Sequence, residues 1–335
     1  MPDGANEIIL LQGGYSNERG SIYQFTTGQA LMSRLVTLSP QEAAELQQQF
    51  GLTAAEEACP PDDPEASLAY SPSAAITAAA LLKQESCLLY LDELAARLGT
   101  DSRPIAASML AKRYAALSAV PFFYALTCYD RALELPLEAV QLRVGKGAGV
   151  PWLEGLLVSG ELFATGPAGR MREPWRLEAA ERYLRLHLTP LWQALSRYSG
   201  LPEIILWENA AVRIYSLYEK RLPAGDKAAT ARIAEDLHFL LKELPAEPFG
   251  QRSQPLAFFY GTEGDTETAP KSKSPQSRVR KTCCLYHCVS AKADYCTACP
   301  KVARPANSRQ LAAEAGEVRQ SKTDTASQIC KRDDA

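Results

Sequence analysis

The nine cysteines of this 335-residue chain are unevenly spread, with five of them inside "RVRKTCCLYHCVSAKADYCTAC", residues 278–299. Clustered thiolates bind soft or borderline metals, and four within reach of one another suit either a tetrahedral zinc ion or an iron–sulfur cluster. Cys296 and Cys299 form a C-x-x-C pair whose short loop turns two sulfurs toward one point. Cys283 and Cys284 are neighbours, and in an extended strand neighbouring side chains point to opposite faces, so only a tight turn would present both to one metal. Cys284, Cys288, Cys296 and Cys299 avoid that difficulty as a C-x3-C…C-x2-C zinc set, in which His287 could replace one thiol. Spacing alone leaves zinc, an iron–sulfur cluster and unligated redox-active thiols open.

The rest of the chain has to position that segment. An odd number of cysteines, a start without a basic n-region and apolar core, and no run of about 18 uncharged apolar residues argue against a disulfide framework, a secretory leader and an integral membrane segment. The expectation is a cytoplasmic protein. Residues 271–335 hold 13 Lys or Arg against 6 Asp or Glu, which leaves that end at +7 and residues 1–270 at −10 within the total of −3. These cations lie mostly in polar, low-complexity sequence, weak evidence for nucleic-acid binding, so no nucleic-acid partner is expected. Local steering of an anion or an acidic partner is.

The pattern predicts an α+β fold: a mainly helical body with a small antiparallel β unit and a C-terminal metal-binding segment. An N-terminal segment, 1–70, contains "SPQEAAELQQQF", a helix that Ser39 could cap. The body, 71–260, opens with helical runs over 73–99 and 104–130, the second divided or kinked at Pro121. "AVQLRV" and "VPWLEGLLV" then flank "GKGAG" as a hairpin. Helical spacing returns with Leu177, Leu184, Leu188, Leu191 and Leu195 on one face and Gly200 as the stop, and two more helices follow. A polar linker, 261–277, leads to the cysteine segment, 278–300, and a disordered tail, 301–335.

Other signals carry less. "GKGAG" is too short for a dinucleotide fingerprint, and no P-loop, G-x-S-x-G or H-E-x-x-H occurs, so electrons for any redox step would come from a separate protein. His187 and His238 read as structural histidines within helices, Cys87 and Cys128 as core thiols, and Cys59 and Cys330 as incidental. Trp207 and Asn209 could face a substrate cavity, but the favoured reading is a core aromatic beside a helix-local hydrogen bond. Arg113, Tyr114, Tyr124 and Tyr129 give no reason to be called catalytic.

The segment "RKTCCLYHC…YCTACP" resembles the C-terminal signature of the FhuF family of ferric-siderophore reductases, in which an adjacent cysteine pair, a spacer of about ten residues and a C-x-x-C pair hold a [2Fe–2S] cluster. "ASMLAKRYAALSAVPFFYALTCYDRALELPLEAVQLRV", "LWENAAVRIYSLYEKRL" and "PFGQRSQPLAFFY" are similar to upstream parts of the same family, so the resemblance runs over roughly residues 75–300. It implies that Cys283, Cys284, Cys296 and Cys299 are the ligands of a [2Fe–2S] cluster. Two departures stand out: 11 residues separate Cys284 from Cys296, one more than the usual family spacing, and Cys288 is an additional thiol inside that spacer.

The implied activity is a ferric-siderophore reductase, an iron–sulfur oxidoreductase that passes one electron to chelated Fe(III) and releases Fe(II). Its implied partners are the ferric siderophore and an external donor such as a ferredoxin or flavoprotein reductase. Arg278, Arg280 and Lys281 would either attract an anionic chelate or donor, or be solvated residues ending the linker. The alternatives are a non-enzymatic, zinc-ribbon-bearing siderophore- or partner-binding protein, or a role in siderophore biosynthesis.

Overall fold

The computed structural model describes residues 35–55, 76–145, 152–167, 171–222, 225–260, 278–290 and 294–302. The linker 261–277, nearly all of the tail, residues 1–34, Cys59, Cys330 and residues 146–149 of the "GKGAG" turn lie outside them.

The fold is α+β and mainly helical, as the pattern predicts. Strand β1 (Leu35–Thr37) leads into α1 (Pro40–Phe50), where Ser39 and Glu42 form a reciprocal capping box and Gly51 closes the helix in the left-handed conformation. Strands β2 (Leu52–Ala55) and β3 (Ile76–Thr77) come next. The helical run expected over 73–99 begins later than its alanine content suggests. Ile76 and Thr77 pair antiparallel with Leu142 and Gln141, Ala79–Leu82 form a 3-10 turn, and only then does α2 (Gln84–Arg97) start. β-Branched residues beside an open sheet edge override helix propensity there.

Helices α3 (Arg103–Leu117) and α4 (Ala119–Tyr129) divide at Ser118, three residues before the predicted Pro121 break. Strands β4 (Ala132–Leu133), β5 (Val140–Val144), β6 (Leu153–Ser159) and β7 (Phe163–Thr165) follow. The expected hairpin is β5–β6, with Leu142 opposite Leu156. It is the centre of a four-stranded sheet ordered β2-β6-β5-β3, in which β2 is parallel to β6; β1-β7-β4 make a second, antiparallel sheet. The backbones of β2 and β6 meet so closely that a Cβ on Gly155 would lie 2.2 Å from the carbonyl oxygen of Gly51, so that position requires glycine.

The second half is α5 (Arg172–Tyr183), α6 (Thr189–Ser199), α7 (Glu203–Ser216), α8 (Lys227–His238) and α9 (Pro255–Tyr260), with π-helical turns at 184–188, 217–221 and 239–243. Leu184, Leu188, Leu191 and Leu195 are fully buried, Leu177 is partly buried, and Gly200 ends α6 with φ +75°, as the spacing predicts. Asp236 on α8 is fully buried and accepts from Arg172 (2.7 Å) and Arg176 (2.6 Å) on α5, so its charge is compensated on the spot. Two helices matter most for the site. In α3, ten of the residues from Ile105 to Leu117 are buried, four of them alanines, so its backbone approaches α7 closely and each can present short polar side chains across the contact.

Candidate metal centre

Residues 280–282 bond to Asn209 and Glu208 of α7, and the turn at Tyr286–Cys288 packs against α3. The adjacent cysteines are resolved by one backbone feature. Leu285 has φ +60° and ψ 7°, a left-handed conformation that a bulky residue adopts only when its surroundings enforce it. Its side chain, 7% exposed, is sunk in the hydrophobic core, and that burial pays the strain. Immediately after the cysteine pair, the turn aims the N–H of Leu285 at the Cys283 sulfur and the N–H of Tyr286 at the Cys284 sulfur. On the other arm Cys299 N–H donates to Cys296 O (3.0 Å), closing the C-x-x-C turn. The arms meet where Cys284 Sγ lies 3.6 Å from Cys296 Sγ, and Cys299 is close enough to act on the ionisation of both Cys283 and Cys296.

Cys288 has a different neighbour. Its Sγ lies 3.6 Å from Nε2 of His287, whose ring stacks on Tyr295 and whose Nδ1 is 4.0 Å from Cys283 Sγ. Among the described residues, no three or more His, Cys, Asp or Glu side chains are gathered as they would be around a single metal ion.

Charge around the thiols is uneven. Burial pushes the Cys284 thiol up, but the Lys112 ammonium, the Tyr286 N–H and the Arg280 guanidinium outweigh it and hold the group below the ordinary thiol range. Burial and the neighbouring Cys284 push Cys296 up to about 11. Of the pair, Cys284 is the readier to ionise. Lys112, on α3, lies 4.6 Å from the centre of the Tyr286 ring.

Beneath the thiols is a buried polar layer from α3 and α7. Glu208, 1% exposed, accepts from the backbone N–H groups of Lys281 (2.6 Å) and Thr282 (2.8 Å) and from the Thr282 hydroxyl, and it pairs with Arg280 at 3.3 Å. Arg280 donates to Asn209 Oδ1 (2.8 Å); Asn209 Nδ2 donates to Ser108 Oγ (3.1 Å) and to the Ser108 carbonyl (3.0 Å); Ser108 Oγ donates to the carbonyl of Cys284 (2.9 Å). Arg280 N–H also donates to Ala298 O (2.9 Å), joining the two cysteine arms.

Several expectations change here. Arg280 is 5% exposed and neither meets solute nor ends a solvated linker; it is the buried counter-charge of Glu208. Arg278 bonds to Glu219 and lies over the Tyr260 ring, leaving Lys281 as the exposed cation of the three. Asn209 makes no helix-local bond but reaches across to α3, whereas Trp207 is the core aromatic expected, with its N–H on Glu203 four residues back. Ser108 and Glu208 drew no attention in the sequence; the available signal was an acid beside Trp207 on a helix face otherwise apolar. Arg113 binds the carbonyls of Leu153 and Glu154, while Tyr124 and Tyr129 both donate to Glu45. His187 is buried and satisfied, Cys87 is core, with burial pushing its thiol up to about 12, and His238 is exposed beside Glu243.

The protein is thus a helical α+β body with a thiol-rich segment seated on two of its helices. The family model described as "Ferric iron reductase FhuF-like transporter" matches residues 108–257, so the chain is similar to that family over this stretch. The match begins at Ser108 and takes in Glu208 and Asn209, so it covers the residues that seat the cysteine segment and ends before the cysteines. No curated protein matches the chain. Among the described residues no helix is long and apolar enough to cross a membrane.

Proposed function

We propose that the protein is a ferric-siderophore reductase in which Cys283, Cys284, Cys296 and Cys299 hold a [2Fe–2S] cluster. The observation that carries this reading is the convergence of the two cysteine arms, with Cys284 and Cys296 in contact and Cys283 and Cys299 beside them. The donor set fits the group. Four thiolates are what a [2Fe–2S] cluster takes, shared two to each iron, so no three ligands need surround one ion. Cys288, turned to His287, is left as a neighbour, not a ligand. Bound there, the cluster supplies one electron at a time, the number that Fe(III) needs to become Fe(II), which oxygen chelators hold far more weakly.

The chain's own residues do the rest. The N–H groups of Leu285 and Tyr286 donate to ligand sulfurs, and Lys112 and Arg280 place positive charge beside them; both features favour the reduced, more negative state. The rim receives the chelate. Val279, Tyr286, Tyr295 and Val302 are large apolar residues left exposed on the cysteine segment, with Phe258 beneath Lys281 at its edge. Together with the exposed Lys281 and Lys301 they offer aromatic faces and positive charge to an anionic ferric chelate. A separate cytoplasmic donor, a ferredoxin or a flavoprotein reductase, supplies the electron.

The test is the visible spectrum of the full chain, purified or reconstituted without oxygen, before and after dithionite. Broad charge-transfer bands that bleach on reduction, followed by single-turnover Fe(II) release from an added ferric siderophore, are expected. A colourless protein that carries zinc after reconstitution refutes the reductase reading and leaves a zinc-bearing binding protein.

A further inference from the structure

We infer that Arg280, Asn209 and Ser108 form a directed hydrogen-bond relay that seats Cys284 on the body, which makes Asn209 and Ser108 positioning residues for the redox centre although the bonds they donate go to the backbone and to each other. The inference rests on the cluster reading for its redox consequence but not for its geometry. Every donor in the relay points the same way, from the Arg280 guanidinium to Asn209 Oδ1, from Asn209 Nδ2 to Ser108 Oγ, and from Ser108 Oγ to the Cys284 carbonyl. All four residues are buried, so each link acts in a medium that screens it poorly, and a chain of aligned bonds polarises cooperatively. A cation begins the relay, and it ends on the peptide of a proposed ligand. Glu208 fixes the start, through Arg280 and the backbone N–H groups of Lys281 and Thr282. The relay crosses from α7 to α3 and back to residue 284, and each crossing is made by a side chain of a different element.

Breaking one neutral link releases the Cys284 peptide without removing a thiol or a charge. Ser108→Ala deletes the last donor, and Asn209→Asp keeps the acceptor for Arg280 but loses both donors to Ser108. In cluster-free full-length protein, alkylation of Cys284 by a maleimide, followed by mass spectrometry, should run about fivefold faster in either variant, the factor carried by one net hydrogen bond. Cys87, a core thiol on α2, should react at its parent rate. An unchanged Cys284 rate in both variants overturns the relay, and so does a parallel rise at Cys87, which would mean general loosening of the body. In cluster-loaded protein the same variants should take up iron as the parent does and show a lowered midpoint potential, because electron density is no longer drawn toward the relay; the parent potential in both overturns it too. A parent protein that binds no cluster refutes the proposed function alone, since the alkylation result still decides the relay.

Discussion

Lowering the pH from 7 to 4 should remove about 3 kcal/mol of stability through one residue, His187. Its Nδ1 lies 2.6 Å from the carbonyl of Leu135, which can only accept, so the proton of the neutral ring is on Nδ1. Nε2 is left to accept from the Tyr114 hydroxyl at 2.9 Å. The ring is 2% exposed and stacked near Tyr114 and Tyr183, with no carboxylate bonded to it; burial pushes its pKa down from 6.5 to about 4. Protonating Nε2 would set two donors facing each other. Between the two values the unfolded chain binds one proton more than the native protein, so stability rises with pH across that window and is lost as pH falls from 6.5 toward 4. At about 1.4 kcal/mol for each tenfold change in proton binding, the interval corresponds to roughly 3 kcal/mol. Depressed carboxylates such as Asp236 lose their contribution below about 4, under this window, and they remain in the variant used for comparison. Urea unfolding of the parent and of His187→Gln, followed from pH 7 to 4.5, measures the difference. The parent should lose most of this amount while the variant stays nearly level; equal pH slopes would refute the assignment of a buried neutral imidazole.

Three further outcomes are expected. Cys288→Ser should retain bound iron and Cys296→Ser should not; loss of iron from the first, measured by metal analysis after anaerobic reconstitution, removes the present ligand set. Glu208→Leu should destabilise the seat of the cysteine segment by about 3–5 kcal/mol, because it leaves Arg280 buried without its counter-charge, and faster hydrogen exchange at the amides of Lys281 and Thr282 is the readout. Lys281→Glu together with Lys301→Glu should raise the KM for an anionic ferric chelate several-fold at low salt and have little effect at high salt. An unchanged low-salt KM removes the rim from substrate docking.

The elements that could be read in advance are those whose signals are local. Ser39 and Glu42 stand three residues apart, Gly200 stands at the end of a leucine stripe, and β5 and β6 are long enough to show their alternation. Strands of two to four residues show no period, so β1, β2, β4 and β7 exist only through their partners. The site divides the same way. Thiol spacing pointed to a metal or redox segment, but the left-handed Leu285 that turns the adjacent cysteines together depends on a core pocket for its side chain. Arg280, read beside Arg278 and Lys281, looks like one more solvated cation; only Glu208, 72 positions upstream, makes it a buried one. Ser108 and Asn209 are unremarkable helix residues until α3 and α7 are laid together.

The bond from Ser108 to the Cys284 carbonyl spans 176 positions of chain. A contact that distant forms late, after the helices at both ends of the loop have found each other. During synthesis α3 and α7 leave the ribosome before the cysteines do, so the elements of the seat precede the segment that docks on them. Docking of the segment therefore depends on the fold behind it: a body that has failed to pack its two central helices offers the thiols no seat.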